Sequence, residues 1–307
     1  ASHCSIESGA VIGTGSKIGK WCQVDDHSII GKHNVLENSV IVTGQTMIGD
    51  HNLFYSGINV GSRGEWKSDT KSPSGPVTIG NHNVIRENVA IHRPFSRDET
   101  HIGNDCYIMH GVTIAHDVFV DDSVQIAPMC VVAGFCNIFR GAFLGIQSSF
   151  HQFTTVGAYS MIGMANRVSR DIPPCTTVVN NECIKLNIHG LQRNHGFSDA
   201  DIVELDEYFN TEWPSTSTTT KTVFKSVMES FVQCRLLHSS KRSIAPLLFV
   251  HTNPYDRASG PLDASTGNDL SRSPNKKTIA IKNNPSNSSN NNASDHRTDT
   301  GAEISAI

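Results

Sequence analysis

The sequence predicts an all-β protein built as a parallel β-helix, followed by a small α-helical region. Two observations predict this fold: an apolar residue recurs at every sixth position over long stretches, and Gly often follows it. A period of six matches neither an α-helix nor an isolated strand. It is typical of hexapeptide repeats whose short strands wind into stacked coils. The phased positions are Ile6, Ile12, Ile18, Val24, Ile30, Leu36, Val42, Ile48, Phe54, Val60, Ile79, Ile85, Ile91, Ile102, Ile108, Ile114, Val120, Ile126, Val132, Ile138, Leu144, Phe150, Val156, Ile162 and Val168.

Three hexapeptides form one coil, so 25 phased positions predict about eight coils. The phased residue and the residue two before it are expected to point inward, burying an apolar column that no single coil could bury alone. Cysteine often occupies the second of these positions, which predicts free thiols packed as small core residues in a reducing, cytoplasmic compartment. These cysteines are Cys4, Cys22, Cys106, Cys130 and Cys136.

Two breaks in the repeat predict insertions at residues 61–78 and 92–101. When their extra residues are allowed for, Val60, Ile91 and Ile114 fall in one vertical column. Both insertions are therefore expected to leave the β-helix at the same corner. Loops on a rigid scaffold often carry function, although a tolerated insertion remains the alternative.

The chain divides into a β-helix over 1–175, a helical C-terminal domain over 176–251 and a polar tail over 252–307. Ser198 is a predicted N-cap for a helix over about 199–210, and apolar residues at helical spacing predict another over 222–238. The Asn/Ser-rich tail is predicted to be disordered. A net charge of −4 without a basic block argues against nucleic acid as a partner. Neither a membrane span nor a secretory signal is predicted.

Stepping by one coil along the corner with both insertions places His116 directly below Gly134. The same edge also presents His92, His151 and Gln152. Coils stack about 4.8 Å apart, so His116 and the Gly134 N–H could reach one reacting group. A neutral His can take a proton from a hydroxyl or amine near pH 7, and a backbone N–H can stabilise an oxyanion. With Asp117 holding the imidazole tautomer, this edge predicts acyl transfer; the alternative is a turn that merely tolerates polar residues.

A metal site is the competing interpretation of the histidines. Zinc-binding β-helix enzymes place two His five residues apart on one coil, whereas His110 and His116 are six apart. No CxxC or other zinc spacing compensates. We therefore expect no metal in the site.

The residues resemble the acyl-carrier-protein-dependent UDP-N-acetylglucosamine O-acyltransferases that begin lipid A synthesis. The resemblance spans roughly residues 1–250 and is carried by IRENVAIHR at 85–93, IAHD at 114–117, AG at 133–134, HQF at 151–153, DIPP at 171–174, NIHGLQR at 187–193 and GFS at 196–198. It implies a left-handed β-helix and a homotrimer with active sites between subunits. It also implies His116 as general base on the sugar 3-hydroxyl, Asp117 as its partner and the Gly134 amide as oxyanion donor.

The resemblance further implies that the acyl donor is a 3-hydroxyacyl thioester of an acyl carrier protein, with no cofactor. The C-terminal helices would help to form the surface for that carrier. Met164 matches the position that limits acyl-chain length, and a thioether there implies about ten carbons rather than about fourteen. The implied substrate-binding residues are Glu65, Lys67, His92, His151, Gln152, Asn187 and Arg193.

Four residues depart from the family pattern: Phe135 and Thr113 replace histidines, His189 replaces a Glu, and Glu65 replaces an Asp. Two alternatives therefore stay open beside O-acyl transfer. One is a transferase that acylates an amine on an amino-sugar nucleotide, since His116 and Gly134 would serve that reaction equally well. The other is a trimeric β-helix that has lost catalysis.

Overall fold

The computed structural model describes residues 3–65, 75–211, 222–237 and 243–245. The predicted substrate-binding residue Lys67 and the predicted tail over 252–307 lie outside these described residues. Short strands dominate the described part. They are β1 (Ser5–Ile6), β2 (Val11–Ile12), β3 (Lys17–Ile18), β4 (Gln23–Val24), β5 (Ile29–Ile30), β6 (Val35–Leu36), β7 (Ile41–Val42), β8 (Met47–Ile48), β9 (Leu53–Phe54), β10 (Asn59–Ser62), β11 (Val77–Ile79), β12 (Val84–Ile85), β13 (Ala90–His92), β14 (Thr100–Ile102), β15 (Tyr107–Ile108), β16 (Thr113–Ile114), β17 (Phe119–Val120), β18 (Gln125–Ile126), β19 (Val131–Val132), β20 (Asn137–Ile138), β21 (Phe143–Leu144), β22 (Ser149–Phe150), β23 (Thr155–Val156), β24 (Met161–Ile162), β25 (Arg167–Val168), β26 (Thr176–Val179) and β27 (Glu182–Leu186).

Every third strand joins the same sheet, which makes a three-sided parallel β-helix. Sheet A has the order β1-β4-β7-β10-β13-β16-β19-β22-β25, and sheet B has the order β2-β5-β8-β11-β14-β17-β20-β23. Sheet C runs β27-β26-β24-β21-β18-β15-β12-β9-β6-β3. Neighbouring coils pair in parallel with the phased residues opposite one another, as Ile114 pairs with Val132. The β-helix predicted from the period of six is confirmed.

The core is the stacked column of phased residues. From Val24 to Val168 every phased residue is buried, whereas Ile6 in the first coil is 44% exposed because no earlier coil in the structure covers it. All eight cysteines are free thiols, and the inward-pointing ones are buried except for the half-buried Cys4. Burial raises the pKa of the Cys130 thiol to about 11. These thiols therefore act as core residues, as predicted.

Both insertions leave the β-helix at the corner between sheets A and B. The first follows β10 and the second follows β13, and these two strands are paired neighbours in sheet A. The first runs from residue 63 to 76 and the second from 93 to 99, slightly shorter than predicted because the flanking strands extend into them. The prediction that both insertions share one corner is confirmed.

Sheet C continues past the predicted end of the β-helix at residue 175. Strand β26 pairs in parallel with β24, which places Val178 opposite Ile162, and β27 returns antiparallel to β26. Val178 is fully buried. The two strands extend sheet C because they cover the apolar end of the column that the last full coil would otherwise expose.

Three helices follow: α1 (Ile188–His195), α2 (Asp199–Thr211) and α3 (Thr222–Leu237). Ser198 caps α2 as predicted: its Oγ accepts the Asp201 amide N–H at 3.3 Å, and the Asp201 carboxylate accepts the Ser198 amide N–H at 2.9 Å. Helix α3 packs against β23, and its Arg235 lies 3.3 Å from the buried carboxylate of Asp171. None of the helices in the described ranges is long and apolar enough to cross a bilayer.

Candidate active site

His116 and Asp117 form a buried pair at the corner that carries both insertions. Strand β16 ends at Ile114, and the chain then turns through Asp117, whose backbone is left-handed with φ of 61°. The His116 Nδ1 lies 2.6 Å from Asp117 Oδ2. The two side chains are 8% and 0% exposed. The predicted pairing of these residues is present in the structure.

Asp117 also anchors the second insertion. Its carboxylate accepts the backbone N–H groups of Phe95 at 3.0 Å, Ser96 at 2.9 Å and Arg97 at 2.5 Å. Burial alone raises the pKa of this carboxyl, but the hydrogen bonds from His116 and the three amides outweigh it and lower the pKa below its ordinary value. An ionised carboxylate only accepts hydrogen bonds. The proton of the neutral imidazole therefore lies on Nδ1, which leaves Nε2 as the basic nitrogen.

Two glycines cover the imidazole. A Cβ at Gly134 would lie 2.6 Å from His116 Cε1 and 2.9 Å from Nε2, closer than carbon atoms pack. A Cβ at Gly64, in the first insertion, would lie 3.1 to 3.3 Å from the His116 side chain. Only residues without a side chain let both segments approach the ring so closely. The periodicity predicted Gly134 beside His116, whereas Gly64 lies in a loop without a period and was not predicted.

The Gly134 N–H occupies a position that binds oxygen elsewhere in the β-helix. At several corners the amide two residues after a phased position donates to a side-chain oxygen of the next coil. Examples are the Lys32 amide to Asp50 Oδ1 at 2.6 Å and the Asn104 amide to Asp122 Oδ1 at 2.8 Å. Within the described ranges the Gly134 N–H has no such acceptor. The Gly134 N–H is thus an available donor on a residue that lies against the His116 ring.

Aromatic rings line the same place. Phe135 presents its ring edge-on to His116 with centroids 5.3 Å apart, and Phe95 from the second insertion does so at 6.1 Å. Phe135 also stacks on Phe153 of the next coil at 4.7 Å. These apolar rings exclude water from around the imidazole, which strengthens its hydrogen bond to Asp117.

Several predicted substrate-binding residues share this corner. His92 is buried, and its Nδ1 has no hydrogen-bond partner within the described residues. Burial lowers the pKa of His92; Glu65 opposes the shift and His116 adds to it. Glu65, His151 and Gln152 are exposed. His92 thus offers a buried ring nitrogen for a ligand, whereas the other three are open to solvent at the rim.

The remaining predicted residues lie elsewhere on the chain. Asn187 is the N-cap of α1, and its side chain donates to the Tyr159 carbonyl at 2.9 Å. Arg193 is exposed on α1. Met164 is 74% exposed and follows β24, so it lies at the corner between sheets C and A, across sheet A from His116. Within the described ranges no group of three His, Cys, Asp or Glu side chains is arranged to hold a metal ion.

The chain resembles known proteins along most of its described length. No family model matches it. It is 41% identical over 130 residues to the acyl-[acyl-carrier-protein]--UDP-N-acetylglucosamine O-acyltransferase of Aliivibrio fischeri. The aligned residues make up 41% of this chain and 49% of that relative. The chain thus spans about half the length of the curated relatives it matches.

Solved structures match over a longer range. The crystal structure of UDP-N-acetylglucosamine O-acyltransferase from Moraxella catarrhalis aligns with a TM-score of 0.72 and 31% identity, covering 80% of this chain and 98% of that one. The Arabidopsis UDP-N-acetylglucosamine acyltransferase aligns with a TM-score of 0.60 and 26% identity, covering 78% and 91%. On its fold, its sequence and the length of this match, the chain belongs to the UDP-N-acetylglucosamine O-acyltransferase family.

Proposed function

We propose that the protein transfers a 3-hydroxyacyl group from an acyl carrier protein to the 3-hydroxyl of UDP-N-acetylglucosamine, the first step of lipid A biosynthesis. One observation carries the proposal: the buried His116–Asp117 pair lies against Gly134 of the next coil. The backbone N–H of Gly134 has no acceptor among the described residues. A base and an oxyanion donor that face the same point are what acyl transfer requires. The names and substrates of the matched relatives support this choice of reaction.

Chemistry begins at His116 Nε2, which takes the proton of the sugar hydroxyl as that oxygen attacks the thioester carbonyl carbon. Asp117 accepts the Nδ1–H and stabilises the imidazolium that forms. The carbonyl π electrons move onto oxygen, and the Gly134 N–H donates to the resulting oxyanion. When the intermediate collapses, the carbon–sulfur bond breaks and the His116 imidazolium gives its proton to the leaving thiolate. The products are an ester on the sugar and the free thiol of the carrier.

Substrate binding is assigned to the rim of the same corner. Glu65 and Lys67 of the first insertion contact the sugar nucleotide, although Lys67 lies outside the described residues. The buried Nδ1 of His92 offers a hydrogen bond that no described protein group uses. Exposed His151 and Gln152 extend the rim to the second coil past His116. Asn187 and Arg193 lie away from this corner, at the N-cap of α1 and within α1, and complete the proposed set.

We propose that a second copy of the chain completes the site. Met164 lies across sheet A from His116, so the Met164 that limits an acyl chain bound at His116 is assigned to a neighbouring subunit. The corner between sheets C and A exposes large apolar side chains, as an interface does before assembly. They are Met129, Val131, Ile146 and Met164. This supports self-association, which we assign to the homotrimer that the family resemblance implies, and the eight free thiols support a cytoplasmic location.

The test is an acyl-transfer assay followed by mass spectrometry. The protein is given UDP-N-acetylglucosamine or its 3-amino analogue, together with 3-hydroxyacyl carrier proteins of several chain lengths. We expect an ester on the 3-hydroxyl, absent in His116→Ala. Product on the amine alone would move the protein to N-acyl transfer, and no product from any pair would overturn the proposal.

Met164 provides a separate test of chain-length selection. A thioether fills the end of an apolar channel that Gly would leave open. The wild-type protein should therefore favour donors of about ten carbons, and Met164→Gly should shift the preference toward about fourteen. A wild-type preference for the longer donor would contradict this assignment without affecting the assignment of His116.

A further inference from the structure

Arg97 connects the second insertion to the coil above the catalytic pair. Its Nη1 donates to Asn137 Oδ1 at 3.1 Å, and its Nη2 donates to the Phe135 carbonyl at 3.2 Å. Its guanidinium carbon lies 5.6 Å from the centre of the Phe135 ring. The planar fork of an Arg suits two acceptors at fixed positions, which a Lys cannot match.

These contacts span two coils. The insertion leaves the coil of β13, whereas Asp117 follows β16 in the next coil and Asn137 lies in β20 of the coil beyond. The main chain of the insertion donates to Asp117, and the side chain of Arg97 reaches past Asp117 to the Phe135 carbonyl. The guanidinium therefore fixes the loop whose amides hold the Asp117 carboxylate.

We propose that Arg97 is a positioning residue for the acyl transfer inferred above, on which this assignment rests. It fastens the insertion so that the amides of Phe95, Ser96 and Arg97 hold Asp117, and Asp117 in turn holds the His116 imidazole. The Arg97 guanidinium donates to Asn137 and to the Phe135 carbonyl, so its side chain acts on His116 through the insertion and Asp117. Loss of the Arg97 side chain should lower kcat, because misplacing a catalytic group by about 1 Å costs on the order of 10²-fold in rate.

A cavity beside Arg97 allows its positioning role to be tested by chemical rescue, which a general loss of folding stability would not permit. Its volume is about 610 Å³, and it lies between sheet B and α3, lined by Arg97 together with Phe119, Phe139 and Cys234. The cavity is open to solvent, and Asn137, which accepts a hydrogen bond from Arg97, also lines it. If the side chain of Arg97 is removed, a free guanidinium ion has a route to the Asn137 and Phe135 oxygens.

The experiment compares Arg97→Ala with Arg140→Ala in the full-length protein. Arg140 is a half-exposed arginine that donates to Asp122 at 2.8 Å and does not contact the His116–Asp117 pair. We expect Arg97→Ala to lower kcat by about 10- to 100-fold with KM within about twofold. Guanidinium chloride, at concentrations well below those that unfold proteins, should restore kcat severalfold. Arg140→Ala should show neither effect.

A second readout does not depend on turnover. The Nδ1 proton of His116, observed by NMR of ¹⁵N-histidine-labelled protein and assigned by its loss in His116→Ala, should be present in the wild type, weakened in Arg97→Ala and restored by guanidinium. An unchanged signal and kcat in Arg97→Ala would overturn the proposal, as would losses that guanidinium does not reverse. If the wild type transfers no acyl group, the proposed function fails, and the NMR signal still decides whether Arg97 positions His116.

Discussion

Two His/Asp pairs occupy the same corner of the β-helix, and only one is buried. Asp26 and His27 follow Val24 in sheet A at the same two positions at which His116 and Asp117 follow Ile114, with the residue order reversed. The first pair is 74% exposed at His and 47% at Asp, with a contact of 3.2 Å. The second is 8% and 0% exposed, with a contact of 2.6 Å.

The difference lies in what covers the corner. Between β4 and β5 the chain turns directly, with no insertion, and water surrounds the pair. Gly134 of the following coil covers His116 together with Gly64 and Phe95 of the two insertions, and three backbone amides donate to the Asp117 carboxylate. Exposed ion pairs contribute little to the stability of the fold because water screens their charges. A buried, fully hydrogen-bonded pair is instead held in one geometry. The two pairs therefore differ in the segments that cover them, and on the proposed function this cover is what makes His116 reactive.

The largest expected effect separates the two histidines. His116→Ala should lower kcat/KM by about 10² to 10⁴, the usual contribution of a general base. His27→Ala should leave kcat/KM within about twofold, because surface substitutions have small effects. Steady-state assays of both variants, with circular dichroism to verify folding, test this. Equal losses in the two variants would show that burial does not distinguish the pairs.

Gly134→Ala should lower kcat by on the order of 10², because the added Cβ would displace the His116 ring. It should also lower the melting temperature. A double-variant cycle provides the control: in a His116→Ala background the ring is absent, so the same substitution should cost much less stability. A melting-temperature loss that persists in that background would mean that the Cβ collides with something other than the imidazole.

Acid should destabilise the buried pair selectively. The pKa of Asp117 is lower in the folded protein than in the unfolded chain, so the unfolded state binds more protons as pH falls through about 4. The stability contributed by Asp117 is present above that pH and lost as pH falls through the folded-state pKa. Urea unfolding at several pH values should therefore show a smaller acid loss for Asp117→Asn than for the wild type. The same loss in both would contradict this, and Asp26→Asn is the matched control.

Gly64→Ala should have the smallest effect. Its Cβ would approach His116 to 3.1 to 3.3 Å, so the ring or the loop must shift by only a few tenths of an ångström. We expect kcat to fall by less than about tenfold, compared with the larger loss for Gly134→Ala. A loss at Gly64 as large as that at Gly134 would show that the first insertion constrains the imidazole as tightly as the stacked coil does.

The period of six was sufficient to predict the coils, the three sheets, the inward cysteines and the shared corner of both insertions. Such predictions succeed because each coil repeats the same local pattern and stacks on a neighbour whose position follows from counting residues. Counting also placed Gly134 over His116, and the N-cap pattern placed the start of α2. It did not predict that β26 and β27 would extend sheet C.

Counting alone could not distinguish Asp26–His27 from His116–Asp117, since both are His/Asp pairs at equivalent positions. Their burial depends on where Gly64, Phe95 and Arg97 fold back, and these residues belong to insertions without a period. An irregular loop takes its path from contacts with distant coils. The regular part of the molecule can therefore be predicted from local spacing, whereas the environment of His116 arises from contacts between segments far apart in the chain.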